Sequence, residues 1–481
     1  MELLLASLVL LLQLLRHVSA AADDDDRLLG VYIFHRHGDR SAKAWKPVNL
    51  TALGAVQVHS SGSFYRQRYV TGPAALPAIS PDVAVASQLS VTSPRDSVLQ
   101  ASAQTFVQGL YPPDETLAET LANGSRIVAP LGGMQNVPVD KAETKSGDRP
   151  EDNAWLQGGS GCVNAEVSSN AYLASAEYRH DYSETLDFYR GLLPVINGTY
   201  GEDEASFKNG YSIFDLINVA TIHNKSIPSS SLLTTQTLHR LYSLASTHEW
   251  NLAFNTSSPI RSIAGAVLAG QILSSLRSIV EAEPSAPRLH AQFGAYGTFM
   301  AFFGLAQLHK ASPDFYGICQ YASSMVFELV APKGVKKPGP DDVSVRFLFA
   351  NGSAAENPLR PFPLFGSTSL LTPWREFASA MGQFAIADSA HWCDVCGKKD
   401  GECADVVDDA SKDVDDAHGD DSHHHGGVSR PVAGVIGALV TLVVVLGVIA
   451  VFVLIGRLRF VPKKSRGPTA EESADAGMAK V

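Results

Sequence analysis

Apolar and polar positions follow two alternating periods in the first quarter of the chain. Residues 28–34 are an almost unbroken apolar run, Leu-Leu-Gly-Val-Tyr-Ile-Phe, of the kind that makes a buried strand. Helical spacing follows over residues 51–70, and residues 83–91 alternate loosely as a second strand. That strand runs into Ser93-Pro94, which reads as a Ser N-cap with Pro at the first helical position. Val98, Leu99, Ser102, Phe106 and Leu110 then keep helical spacing until Pro112 and Pro113 stop it. The strand-turn-helix unit occurs twice, so both turns are expected to face one cleft.

Between residues 121 and 249 the pattern becomes helical almost throughout. Helices are predicted over residues 172–193 and 211–220 and around Leu238, Leu241, Tyr242 and Ala245. A long amphipathic helix follows Ser258-Pro259, then a strand over residues 288–295 and a Phe-rich helix over 298–308. Residues 325–330 and 343–350 read as two antiparallel strands across a Lys-, Pro- and Gly-rich loop. The whole implies an α/β fold: a mostly parallel sheet flanked by helices, built from residues 28–120 and 250–396, with residues 121–249 inserted as a mainly helical cap.

The ends of the chain add a compartment. Residues 1–20 hold a leucine-rich run closing on Val18-Ser19-Ala20, the pattern of a cleaved signal peptide. Residues 432–455 are uncharged and apolar, long enough at about 1.5 Å per residue to cross a hydrocarbon core of about 30 Å. Arg457, Arg459, Lys463, Lys464 and Arg466 follow at once and mark the cytoplasmic side, leaving residues 456–481 as a short tail. Residues 404–430, rich in Asp and His, are expected to be a disordered acidic stalk. The expected product is a single-pass type I membrane protein whose folded part lies outside the cell or in the lumen of the secretory pathway or vacuole. Asn-X-Ser/Thr sites at Asn49, Asn123, Asn197, Asn224, Asn255 and Asn351 agree with that and predict N-linked glycans.

The five cysteines, Cys162, Cys319, Cys393, Cys396 and Cys403, lie on the same side of the membrane segment, where disulfides form. Their odd number leaves at least one thiol free or paired between chains. Cys393, Cys396, Cys403 and His391 have the donor types of a zinc site, but oxidation is the expected fate in this compartment. A net charge of −11 argues against nucleic acid as a partner.

Chemistry is concentrated where the first strand ends, in Phe34-His35-Arg36-His37-Gly38-Asp39-Arg40-Ser41. Two arginines bracket His37, and Gly38 permits a tight turn that lets the three side chains converge. A guanidinium clamp around an imidazole suits an oxyanion such as phosphate. Arg36-His37-Gly38-Asp39-Arg40 resembles the RHGxR signature of the histidine acid phosphatases, within the histidine phosphatase superfamily and its phosphoglycerate-mutase-like fold. Similarity continues through residues 49–70, Ser102-Ala103, residues 109–113, Glu328 and Asn351-Gly352, and its overall pattern looks like divergent fungal members.

The resemblance implies that His37 attacks phosphorus and forms a phosphohistidine while Arg36 and Arg40 hold the phosphate oxygens of a small phosphorylated substrate. It implies no cofactor and no metal, because guanidinium groups supply the positive charge. The chain departs from the family at three positions. Where members carry a late His-Asp pair, for phosphate binding and leaving-group protonation, this sequence has Tyr296-Gly297. Val98 stands where the family has a further arginine, with Arg95 about one helical turn earlier as a candidate substitute. Asp39, Asp96 and His290 are the titratable candidates for the missing acid. Two readings therefore stand at this point: a phosphomonoesterase working through His37, or an inactive phosphatase-fold surface glycoprotein that binds a phosphorylated ligand or a partner.

Overall fold

The computed structural model describes residues 26–404 apart from 74, 78, 142–160 and 284–285. The expected signal peptide, the transmembrane segment, the cytoplasmic tail and all but the first residue of the expected stalk lie outside the described residues.

The first apolar run forms β1 (Asp26–Arg36), the middle of a sheet that has eight strands among the described residues. On one side of it come β3 (Leu289–Gly294), β2 (Leu89–Ser93) and the short strand Asp140–Lys141, all parallel. On the other side β4 (Ser324–Pro332) pairs antiparallel with β1, β5 (Ser344–Ala350) with β4, and Leu371–Pro373 and Arg360–Pro361 with β5. The sheet is thus mixed, where a mostly parallel one was expected. The loop between β4 and β5 is short enough to return the chain as a hairpin, whereas a parallel neighbour needs a crossover.

Alternate residues of β1 enter two different cores, as a strand covered on both faces requires. Leu28, Val31 and Ile33 pack with Tyr65, Phe106 and Leu110 from the helices α1 (Ala52–Arg66) and α2 (Ser97–Leu110). Tyr32 and Phe34 pack with Leu276, Phe299 and Phe303 from α5 (Ile263–Val280) and α6 (Tyr296–Leu305). Between these halves of the chain stand α3 (Gly210–His223) and α4 (Thr235–Ala253), which pack on each other, with α4 also against α6.

Three local expectations shift. Ser93 is still paired in the sheet, so the cap of α2 is Asp96, whose carboxylate accepts from Val98 N and Leu99 N at 2.9 Å each. The predicted helix over 172–193 is two helices, Val163–Leu173 and Ala176–Arg190, because Ser175 caps the second. The helix after β3 begins at Tyr296, which puts Tyr296 and Gly297 into its first turn. Residues 118–128 form a small β-hairpin before the helical stretch.

Cys162 bonds Cys396 and Cys393 bonds Cys403, leaving Cys319 as a buried free thiol. The three cysteine donors of the conceivable zinc site, Cys393, Cys396 and Cys403, are therefore consumed as disulfides. Of the glycosylation sites, Asn49, Asn123, Asn197 and Asn224 are exposed, while Asn255 and Asn351 are half-buried.

Glu328 on β4 is fully buried and is the anion of a closed network. Arg68 reaches it at 2.7 Å, Arg346 at 2.8 Å and the Tyr69 hydroxyl at 2.7 Å. Burial alone would raise its pKa, but Arg68 and Arg346 hold it below the ordinary 4.5. A carboxylate with a depressed folded pKa stabilises the fold above its unfolded value, and this contribution is lost as pH falls below about 4.5. Glu328→Ala, which leaves the two arginines facing a cavity, is expected to cost about 3–5 kcal/mol at neutral pH. Thermal melts of the two proteins at pH 7 and pH 4 should show a gap that narrows at the lower pH.

Candidate functional site

Parallel register brings the chemistry together. Arg36 at the end of β1 pairs with Gly294 at the end of β3, and Thr92 near the end of β2 pairs with Gln292. The loops after all three strands therefore leave from one edge of the sheet, where α/β proteins place ligands.

Gly38 is required by packing, since its backbone has no left-handed φ. A Cβ there would lie 2.3 Å from Gly54 O, and one on Gly54 would lie 2.0 Å from Asp39 O. The loop thus rests directly on the first turn of α1, where Thr51 caps the helix through Gly54 N and donates to the Asp39 carboxylate. From the other side, Ala322 N donates to His37 O at 2.9 Å and Arg36 N to Ser323 O at 2.8 Å. Ala322 holds a left-handed φ of 58°, a strained conformation for a residue with a side chain. Asn351 keeps that turn in place, its Oδ1 accepting from Gln320 N at 2.8 Å.

His37 is 6% exposed, and its Nδ1 donates to the Gly38 carbonyl at 2.8 Å. A carbonyl only accepts, so the proton sits on Nδ1 and Nε2 keeps its lone pair. Burial first, then the charges of Arg36 and Arg40, drive the His37 pKa well below 6.5. A neutral imidazole with a free Nε2 is a nucleophile.

Arg36 donates to the Cys319 carbonyl and lies 4.7 Å from the centre of the Tyr321 ring and 5.3 Å from that of Tyr296. The Tyr321 ring also stands 5.6 Å from His37. Arg40, 2% exposed, makes a two-pronged ion pair with Asp215 of α3 at 2.7 and 3.2 Å and contacts the Tyr211 hydroxyl at 3.1 Å. Asp215 accepts in addition from Lys43 N at 2.8 Å. Arg40 is therefore a cation with a resident carboxylate.

Tyr296 is buried, tilted against Tyr211, and its hydroxyl donates to Glu249 Oε2 at 2.6 Å. Burial, followed by Tyr211 and Glu249, lifts its pKa well above 10, so the phenol keeps its proton. A Cβ at Gly297 would meet nothing within 4 Å, so the position is open space next to the cluster. The candidate acids are placed elsewhere or committed. Asp39 is paired with His223 Nε2 at 2.6 Å, Asp96 caps α2, and His290 stacks on Tyr32 four rungs back along the ladder from Gly294. At about 3.3 Å per residue that is about 13 Å from the strand end. Arg95 precedes α2 and is exposed, so it is not one turn of that helix away from Val98; among the described contacts it makes none with the cluster.

Tyr211, Asp215, His223, Glu249 and Tyr321 are site residues that the sequence reading passed over. Tyr211 and Asp215 did carry a signal: they are four apart, and Asp215 is a carboxylate adjacent to the apolar face of α3. Glu249 had none, since a charged residue on a long helix is ordinarily a solvated one.

The profile of the histidine phosphatase superfamily (branch 2) matches residues 42–350, more than half of the chain and starting just after the Arg-His-Gly loop. No curated protein sequence matches. Among solved structures, a phytase from Hafnia alvei superimposes with a TM-score of 0.54 at 10% identity, over 78% of this chain and 99% of that one. A phytase from Citrobacter braakii gives 0.54 at 13% identity, over 77% and 99%. A phytase from D. castellii gives 0.51 at 12%, over 79% and 84%. At such identities these likenesses speak for the fold. With the profile match, they place this chain in branch 2 of the histidine phosphatase superfamily.

Proposed function

We propose that this protein hydrolyses phosphomonoesters through a phosphohistidine on His37, on the outer or lumenal face of a membrane that its C-terminal segment spans once. The observation that carries the reading is His37 itself: a buried neutral imidazole with Nδ1 tied to Gly38 O and Nε2 free, flanked by Arg36 and Arg40. Nε2 attacks phosphorus and forms a P–N bond. The P–O bond to the leaving group breaks with its electron pair on oxygen, while the guanidinium groups stabilise charge on the transferring phosphoryl oxygens. Water then attacks the phosphohistidine, releasing phosphate and restoring the imidazole.

Two observations favour a second reading, a protein that binds a phosphorylated ligand without turning it over. Arg40 already holds Asp215, and position 297 has no side chain to protonate a leaving oxygen.

His37→Ala is expected to reduce hydrolysis of an activated aryl phosphate to background. In the wild type, His37 must be neutral to attack and its pKa is depressed, so the acidic limb it imposes on kcat/KM should lie below pH 6.5. A limb at or above 6.5 contradicts the burial argument. Gly297→Asp fills open space in the first turn of α6, where a carboxylate is favoured. It is expected to raise turnover of an alkyl phosphate by about 10²- to 10⁴-fold, with a much smaller effect on aryl phosphates that need no acid. Asp215→Asn should release Arg40 and tighten inorganic phosphate binding about tenfold, the scale of one charge-assisted hydrogen bond, at a cost in melting temperature. Titration calorimetry measures the first effect and thermal unfolding the second.

A further inference from the structure

A cavity of about 200 Å³ opens beside the clamp, between α3, α4 and the turn before β4. Phe214, Leu241, Tyr242 and Ile318 give it apolar surface, and Asn218, Thr221, Gln320, Asp215 and Arg36 polar surface, with Arg36 the one cation in the lining. Tyr321, which stands against both Arg36 and His37, is shared between the cavity and the clamp. A dry apolar cavity of about 150 Å³ suffices for benzene, so this one has room for a substituted aromatic ring.

Resting on the phosphatase reading above, we propose that the substrate is the monophosphate ester of a single apolar aromatic group. The phosphate sits at Arg36 and His37, and the ring lies in the cavity bounded by α3 and α4. Two independent features converge on this class. The first is the cavity's size and its apolar side chains, which suit a ring, together with a lining that holds a single cation, Arg36, for an anion. Additional phosphates on the same ring would find no second cation in the lining and would face the carboxylate of Asp215. The second is the supply of protons. Asp39, Asp215 and Glu249 are each committed to a partner, and Gly297 offers no side chain. When His37 Nε2 bonds to phosphorus, an aryl oxygen leaves with the P–O electron pair as a phenolate, which is stable enough to depart unprotonated and takes its proton from water afterwards. An alkoxide from an alkyl or inositol ester lacks that stability.

The test uses the full-length protein in detergent, with three substrates: 1-naphthyl phosphate, inositol hexakisphosphate, and acetyl phosphate, which carries a good leaving group and no ring. Expected is a kcat/KM for 1-naphthyl phosphate at least about tenfold above that for inositol hexakisphosphate. Leu241→Gln, which puts an amide into the apolar wall, should raise KM for 1-naphthyl phosphate about tenfold and leave acetyl phosphate unchanged. Leu238→Gln, at a half-buried wall position, serves the same purpose should the first variant melt early. Equal or better turnover of inositol hexakisphosphate, or wall variants of normal melting temperature that affect both small substrates alike, would overturn the proposal while leaving the phosphatase reading intact. Absence of any His37-dependent turnover of acetyl phosphate would remove that reading, and the proposal with it.

Discussion

Arg36 and Gly294 meet at the last rung of the parallel ladder between β1 and β3, and almost every feature of the site follows from that alignment. Because the two strands run the same way and end together, His37 and Tyr296 emerge side by side although they are more than 250 residues apart in the chain. β1 can carry this load because it is the central strand. It is hydrogen-bonded on both edges and covered on both faces, so its end has little freedom to move. Gly38 and Gly54 extend the same rigidity into the loop by letting two stretches of backbone touch where any side chain would hold them apart.

The charges around His37 are less one-sided than an oxyanion clamp suggests. Arg36, Arg40 and Lys43 approach the site, but Asp215 and Glu249 come with α3 and α4, and Asp39 lies in the loop itself, paired with His223 of α3. A buried guanidinium without an anion is costly, and Asp215 supplies that anion to Arg40 and orients it. Any anion entering beside Arg40 would have to compete with a carboxylate already in place. The two-pronged pair thus ties the position of α3 to the state of the clamp, and α3 in turn forms one wall of the cavity beside Arg36.

The relation to the known phytase structures lies in the fold, at identities between 10% and 13% for those compared above. At the start of α6, Tyr296 and Gly297 supply an aromatic surface and an opening. Aromatic rings from Tyr211, Tyr296 and Tyr321 surround Arg36 and Lys43 and give the cleft an apolar character that a purely ionic site would lack.

Local chemistry in the sequence was enough to determine the main strands and helices of the core, the Arg-His-Gly turn, and the presence of an unpaired cysteine among five. Each of these depends on neighbours within a few residues or on simple counting. Boundaries that depend on competing partners were less legible: Ser93 reads as a helix cap but stays in the sheet, and Tyr296 reads as loop but begins a helix. Sheet direction on the β4 side, the pairing of Cys162 with Cys396, and the commitment of Arg40 to Asp215, Asp39 to His223 and Tyr296 to Glu249 were decided only by tertiary structure. The physical reason is the same in every case. A charged or polar side chain shows its type in the sequence, but what it does depends on which distant group enters the same low-dielectric space, and that is set by how helices pack over the sheet.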